Sequence, residues 1–463
     1  MTRDNQGNSS STAAYQGEPS TADLQGRFSA AFSHHQAGNY AEAERLYRLV
    51  LARIPDNVNL LCNLGLLYRD MKKPALALDF LQRAGEIDPE NPMVNLNLGA
   101  VFEEKNDLQG AADAYRKALR AAPDDPRVLN NLGKTLYLQG EMEEALEYLE
   151  KAVRLVPDYP LAQNNLGVLL FALGKTDEAV GCFRRSLSAQ PENSATLYNL
   201  AGALNTAGNT AEAESYYRRI LAADPHHASA RHMLAAVAGT PTDKAPAEYV
   251  VDIFDRYAGH FDYQLTETLG YQVPGLLREA LIRTAGPRAF KHGLDLGCGT
   301  GLAGLAFRDQ AGRLTGVDLS PKMLAKAKSK NIYDQLYKDD IISFLDGTEE
   351  EFDLIIATDV FIYIGDLGPI FAAVKRRAAD SAYLAFSIER AEEGRDYELQ
   401  ASGRFAQSQG YILRLAADSG FAVRINEEQQ IRREQGQWIE GNIFILSIPR
   451  GEKQGRPGSN QHP

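Results

Sequence analysis

The sequence predicts a chain in two parts, an all-α solenoid followed by an α/β domain built on a mainly parallel, seven-stranded sheet. Three observations predict it. A proline recurs at Pro55, Pro89, Pro123, Pro157, Pro191 and Pro225, each 34 residues from the last. Three alternating glycines, Gly297, Gly299 and Gly301, join an apolar strand pattern to a helical one in "LDLGCGTGLAGLAF". Beyond them, short apolar runs alternate with helical patterns and close on two long strand-like segments. With 463 residues the chain exceeds what one hydrophobic core organises, so more than one domain is expected.

In phase with the proline lie Gly65, Gly99, Gly133 and Gly167, with alanine at Ala31 and Ala201. A second small residue recurs at Ala43, Ala77, Ala111, Ala145, Ala179 and Ala213. Small side chains at both places let two helices approach closely. Apolar pairs at helical spacing flank the glycine, as in Leu64/Tyr68 and Leu132/Leu136, so each unit reads as an antiparallel helix pair closed by the proline turn. This pattern resembles the tetratricopeptide repeat, in six copies over about residues 24–227. "HASARHMLAAVAG" follows as a terminal helix capping the stack, and "TPTDKAP", residues 240–246, as the linker.

Two residues before the glycine-phase site stands an asparagine column: Asn63, Asn97, Asn131, Asn165 and Asn199. A carboxamide donates and accepts, so such a column can hold an extended protein or peptide by its backbone. It is similar to the column of the O-linked N-acetylglucosamine transferases, which grips peptide; asparagine is also common at this place in repeats generally.

In the second part a strand ends in the glycine turn, where the backbone can approach a ligand closely. Gly299, Gly301 and Gly304 also satisfy the G-x-G-x-x-G pattern of dinucleotide-binding folds, which alone decides little. "RLTGVDLSPKMLAKAK" places a second strand end at Asp318, 17 residues after Gly301, where a carboxylate can accept both hydroxyls of a ribose. A third strand ends at Asp339-Asp340, and "EEFDLIIATDVFIYIGDL" gives a fourth ending near Asp359. "SAYLAFSIE" is the fifth strand, "YILRLAADSGF" a helix, and "AVRINEEQQIRREQGQWIEGNIFILSIP" a terminal hairpin.

Asp295 two residues before Gly297, with the acidic ends of strands two and three, resembles the class I methyltransferases, whose sheet has seven strands. The resemblance implies S-adenosylmethionine as cofactor, held by Asp295, Gly297, Cys298, Gly299, Gly301, Asp318, Leu319, Asp340, Ile341 and Asp359. Asp340 is preferred to Asp339 for the adenine amine because "DI" then precedes an apolar helix. It also implies that "DIFDRYAGHFDYQLTETLGYQVP" caps the cofactor. The domains become residues 1–23 and 451–463 as disordered tails, 24–239 as repeats, 240–246 as linker and 247–450 as the methyltransferase domain. Around the acceptor pocket the candidates are Tyr257, His260, Tyr271, Asp359, Tyr363 and Arg404, each more a positioning residue than a base. Related repeat-containing enzymes tend to carry histidine where this chain has Gln407, and Thr358-Asp359-Val360-Phe361 lacks the Asn/Asp-Pro-Pro-aromatic motif of amino-methyltransferases of adenine, cytosine and glutamine.

Composition narrows the partners. With 61 acidic against 49 basic residues, nucleic acid is not expected. No apolar run reaches a membrane span, and the Ser/Asn/Gln-rich start has no secretory pattern, so a cytoplasmic address is expected. Cys62, Cys182 and Cys298 form neither a disulfide framework nor a metal-ligand spacing. Three functions fit: a methyltransferase whose repeats recruit a protein or peptide, a small-metabolite methyltransferase docked to a partner enzyme, and a non-catalytic interaction scaffold.

Overall fold

The structure is a computed structural model, and it describes residues 21–258, 261–263, 265–266, 269–434 and 437–448. The chain divides into two compact units, residues 1–136 and 137–463. The division falls within a repeat helix, not at the expected linker.

The first unit is a stack of helix pairs: α1 (Thr21–Gln36) with α2 (Tyr40–Leu51), α3 (Val58–Asp70) with α4 (Pro74–Ile87), and α5 (Pro92–Glu104) with α6 (Leu108–Ala121). The recurring proline stands in the turn after each second helix, and two residues later an N-cap stops the next helix from fraying. Asn57 accepts from Leu60 N–H, and Asn91 from Met93 and Val94 N–H. The glycine phase is explained by what faces it, since a Cβ on Gly65 would overlap Leu81 and one on Gly99 the ring of Tyr115. Thr21–Asp23, expected in the tail, already belong to α1; residues 1–20 and 449–463 lie outside the described residues.

In the second unit the repeats continue as α8 (Met142–Leu155), α9 (Pro160–Ala172), α10 (Thr176–Ala189), α11 (Ser194–Thr206) and α12 (Thr210–Ala223), after α7 (Pro126–Gln139), the helix in which the division falls. Here too a Cβ on Gly167 would overlap a ring, that of Phe183. The terminal helix α13 (Ala228–Ala238) does not present a polar outer face to solvent. Ser229, His232 and Met233 are buried, and α13 packs against α14 (Ala247–Tyr257) of the following domain.

That domain is a seven-stranded sheet in the order β3-β2-β1-β4-β5-β9-β8. The strands are β1 (Phe290–Leu296), β2 (Ala311–Asp318), β3 (Gln335–Lys338), β4 (Phe352–Ala357), β5 (Ala378–Glu389), β8 (Ala422–Glu434) and β9 (Gln437–Ile448). The first five run parallel, and β9 lies antiparallel between β5 and β8; the seven strands and the terminal hairpin are those the sequence reading expects. A small ladder of β6 (Tyr397–Leu399) and β7 (Phe405–Gln407), which that reading did not anticipate, interrupts the path from β5 to α21 (Gln409–Asp418). One sheet face is covered by α16 (Val273–Ala285) and α17 (Leu302–Phe307) through Leu277, Leu281 and Phe307. The other is covered by α19 (Ile341–Gly347), α20 (Gly368–Arg377) and α21 through Leu345, Phe371 and Ile412.

The stretch expected to be a linker is bonded to the sheet domain. Asp243 C=O accepts from Gly365 N–H at 2.7 Å and Asp366 N–H at 3.0 Å, and Ala245 N–H donates to Tyr363 C=O at 2.9 Å. Tyr397 Oη donates to the Asp243 carboxylate. A linker reading rests on Pro, Thr and Asp content, which describes turn propensity and is blind to a distant edge segment with unpaired backbone groups.

The repeat packing gives a matched pair of tests in the first unit. Gly99→Ala forces a methyl into the Tyr115 ring and should cost about 1–3 kcal/mol in chemical unfolding. Gly85→Ala, where a Cβ meets Val94 and Leu98 at ordinary contact distance, should instead gain about 0.5–1 kcal/mol from helix propensity.

Candidate functional site

A pocket opens along the carboxyl edge of the sheet, where ligands collect in open α/β folds. Its wall runs through Gly297–Thr300 after β1, Asp318 and Leu319 after β2, Asp339–Ile342 after β3 and Thr358–Val360 after β4, ending at Arg404 and Arg432. Lys244 and Ala245, in the segment bonded to Tyr363–Asp366 and here called the strap, also line it, as does Phe254 of α14.

The glycine loop is shaped by a residue the sequence reading missed. Tyr333 lies beneath it, its hydroxyl donating to Asp295 at 2.6 Å, and a Cβ on Gly301, Gly304 or Gly316 would run into the Tyr333 ring or hydroxyl. Two of the three glycines in the G-x-G-x-x-G match, Gly301 and Gly304, therefore stand where a side chain would meet this phenol. Asp295 is fully buried, and burial raises its pKa to about 7 although the Tyr333 hydrogen bond opposes the shift. Neither Asp295 nor Gly301 lines the pocket; both support the loop from below. Gly297 and Gly299 do line it, each at positive φ, and a Cβ on Gly299 would meet nothing within 4 Å, so the loop leaves open space on its pocket side. Cys298 is buried and its thiol pKa is pushed up by burial, which fits a packing residue and not a nucleophile.

Asp318 accepts from Gly299 N–H at 2.9 Å and from Ser320 N–H at 2.7 Å, locking the two loops together while its carboxylate borders the pocket. Burial raises its pKa, opposed by those N–H donors. Asp340 caps α19 by accepting from Ile342 N–H, and Ile341 and Leu319 stand beside it on the wall. The segment before β1 is fastened over these loops. Asp255 of α14 accepts from Ser320 Oγ, and Asp262, in the short helix α15 (Phe261–Tyr263), accepts from Thr300 Oγ1 and pairs with Lys330.

Beyond β4 the pocket becomes ionic. Asp359, at φ +55, is paired with Arg432, whose guanidinium also binds Glu389. Arg404 Nε donates to Glu389 Oε1 at 2.9 Å, and its Nη2 pairs with Glu434. Asp359 is thus held by a guanidinium, with Ser387 Oγ beside it at 3.5 Å, and burial raises its pKa, opposed by Arg432. Tyr271 and Tyr363 line the same end, both with phenol pKa values raised, chiefly by burial, Tyr363 to about 12. Of the remaining candidates, the side chain of Tyr257 and the whole of His260 lie outside the described residues. Gln407 is buried and donates to Phe361 and Ile364 carbonyls, fixing the segment after β4. Arg432 and Glu389 escaped the sequence reading because strand periodicity marks which face they take but not that two strand ends meet.

Residues 294–386 match a family model described as a methyltransferase domain. Residues 34–98, 104–140, 124–192 and 164–228 match models of the tetratricopeptide repeat. The chain is a tetratricopeptide-repeat protein with a methyltransferase domain. No curated protein matches it. Among solved structures it is similar to MamA, at 27% identity over 35% of this chain and 94% of that one, with a TM-score of 0.32. It is also similar to YrrB, a TPR protein with an unusual peptide-binding site, at 24% over 40% and 96% with a TM-score of 0.34. A third is the N-methyltransferase NodS from Bradyrhizobium japonicum WM9 in complex with S-adenosyl-L-homocysteine, at 20% over 38% and 87% with a TM-score of 0.31.

In this chain the last repeats touch the site's own scaffold. His232 of α13 bonds the Gly403 carbonyl at 2.8 Å, and Asn205 of α11 donates to the Ala401 carbonyl at 2.8 Å. Gly403, at φ +81, is packed against Tyr249 and Met233. The next residue is Arg404. The asparagine column is partly built in. Asn97 is buried and donates to Cys62 Sγ at 3.4 Å, Asn63 donates to the Asn59 carbonyl, and Asn131 accepts from Asn130. In the second unit Asn199 donates to Asn164; Asn165 and Asn199 are half-buried. Among the described residues no helix is long and apolar enough to cross a membrane, and no His/Cys/Asp/Glu group is arranged to hold a metal.

Asp295 gives a pH test of the loop's foundation. Its ordinary pKa in an unfolded chain is about 3.9; in the fold it is raised to about 7. Below the lower value the group is protonated in both states and costs nothing. Between the two values unfolding releases a proton, so the ionisation penalty grows with rising pH and is complete above about 7. Asp295→Asn should therefore gain melting temperature relative to the parent as pH rises from 4 to 7 and hold that gain above; a difference independent of pH would contradict the assignment.

Proposed function

We propose that the chain transfers a methyl group from S-adenosylmethionine to an acceptor that its repeats deliver, a protein or peptide. The observation that carries the cofactor assignment is the convergence of three polar features on one pocket wall: an open glycine turn at Gly299, the Asp318 carboxylate after β2 and Asp340 after β3. This donor set fits the group. Asp318 would accept ribose hydroxyls, Asp340 with Leu319 and Ile341 would frame the adenine, and Gly297–Gly299 would lie along the amino-acid part. The bound cofactor supplies an already electrophilic methyl, so the protein's work is alignment and exclusion of water. The strap, α14 and the aromatic side chains over the pocket exclude water; Tyr271, Asp359 and Tyr363 orient the acceptor.

The repeats are read as the recruiting surface. Asn63, Asn131, Asn165 and Asn199, half-buried, are the candidates for gripping a peptide backbone, whereas Asn97 belongs to the scaffold. The intact cofactor wall favours an enzyme over a scaffold that has lost activity, because none of these groups is needed to keep repeats folded.

Calorimetry with S-adenosylhomocysteine and with NAD tests the reading. The first should bind and the second should not, and Asp318→Ala should weaken the first by about 1.5–3 kcal/mol, the scale of lost charge-assisted hydrogen bonds. Binding of NAD alone would overturn the assignment.

A further inference from the structure

The pocket wall is divided by charge. Toward β2 and β3 its ionisable residues are Asp318, Asp339 and Asp340, with Lys244 of the strap 4.0 Å from Asp340. Beyond β4 they are Asp359, Arg404 and Arg432. The acids that balance the two guanidiniums, Glu389 and Glu434, are not part of that wall: Glu389 is 2% exposed and stands behind it. The charged groups that line this end are thus one carboxylate and two guanidiniums, although with Glu389 and Glu434 the whole cluster holds three carboxylates; what the lining offers a ligand is a guanidinium donor. Arg432 is engaged at both amino groups, by Asp359 and Glu389, whereas Arg404 uses Nε and Nη2 and its Nη1 has no partner among the described residues. Between the charged residues the wall is apolar, with Phe254, Phe261, Leu265, Tyr271 and Tyr363. Phe254 sets its ring edge-on to Tyr363 at 5.4 Å and to Phe261 at 5.7 Å.

We propose that this end of the pocket is an anion subsite, in which Arg404, steadied by Arg432, takes a carboxylate on an acceptor whose remainder is apolar or aromatic. The inference rests on the methyltransferase reading above and adds the acceptor's chemical class. Arg404 is suited to the role because its Nη1 can still give a charge-assisted hydrogen bond to a carboxylate while Nε and Nη2 are held by Glu389 and Glu434, and a water-poor wall strengthens that bond. Preorganisation comes from the repeats. The turn Gln400–Arg404 is closed by Gln400 N–H to the Arg404 carbonyl at 2.8 Å and Gly403 N–H to the Gln400 carbonyl at 2.9 Å, and its tip is held by His232 and Asn205. Arg404 is therefore fixed before any ligand arrives, its ordering cost already met in folding. An acceptor presented on a protein satisfies the same chemistry with a C-terminal carboxylate or an acidic side chain beside an apolar one.

The carboxylate could equally be the one on the cofactor's own methionyl end, and the experiment separates the two sources. Full-length protein saturated with S-adenosylhomocysteine is titrated with three probes of one shape, hydrocinnamate, hydrocinnamide and phenylpropylamine. The carboxylate should bind at least tenfold more tightly than the amine or the amide. Arg404→Gln should remove that preference and Arg404→Lys restore part of it, while S-adenosylhomocysteine affinity stays within threefold of the parent. A preference for the amine, equal binding of all three probes, or a carboxylate preference that survives Arg404→Gln would overturn the proposal. So would a loss of S-adenosylhomocysteine affinity of tenfold or more in Arg404→Gln, which would give the guanidinium to the cofactor. Failure of the parent protein to bind S-adenosylhomocysteine at all would instead sink the methyltransferase reading.

Discussion

Three backbone hydrogen bonds between Asp243–Ala245 and Tyr363–Asp366 set the geometry on which the site depends. They fix where the chain enters the α/β domain, and so where α14 begins, with Pro246 at its N-cap. From there Asp255 reaches Ser320 after β2, and Asp262 reaches Thr300 in the glycine loop. A pocket that would be an open sheet edge becomes a covered one. The same entry point holds α13 against α14, with the Tyr249 hydroxyl on Met233 and Ser229 on Asp252, which brings His232 to the turn before Arg404. One short strap thus ties the last repeats to both ends of the pocket.

Charge explains why that covering has to be tight. Glu389, Arg432 and Asp359 are largely withdrawn from water, and a buried ion is tolerated only when its partners are in place. Glu389 accepts from both Arg404 and Arg432, so displacing either guanidinium leaves a buried carboxylate underpaired. The cluster therefore favours a single arrangement of β5, β8 and the 400–404 turn. A site assembled this way meets its ligand with dipoles and charges already oriented, the condition under which electrostatics help most.

Much of this was legible in the residues. The 34-residue interval of the prolines located every helix pair, because a repeat must present the same small residue to the same neighbour each time. The five parallel strands and the terminal hairpin were readable from apolar runs ending in acids or glycines. What escaped has a common cause: contacts between positions far apart in sequence. Tyr333 under the glycine loop, Arg432 against Asp359 and His232 against Gly403 are each ordinary residues in their own elements. Local periodicity gives the face a side chain takes, and the partner waiting there is set by topology. The strap was missed for the same reason, its turn-forming composition concealing an edge with something to pair with. Conversely the asparagine column, conspicuous in the sequence, turns partly inward, with Asn97 on Cys62.

The central claim is that the entry strap is a built part of the pocket, and amide hydrogen exchange tests it most directly. Ala245, Gly365 and Asp366 carry the N–H groups of the strap pairing. The account predicts that these amides exchange slowly and together, with protection comparable to that of β4 and β5, because opening the strap requires undocking α13 and α14. Exchange of Ala245, Gly365 and Asp366 at the rate of an unstructured peptide, while β4 and β5 stay protected, would contradict it.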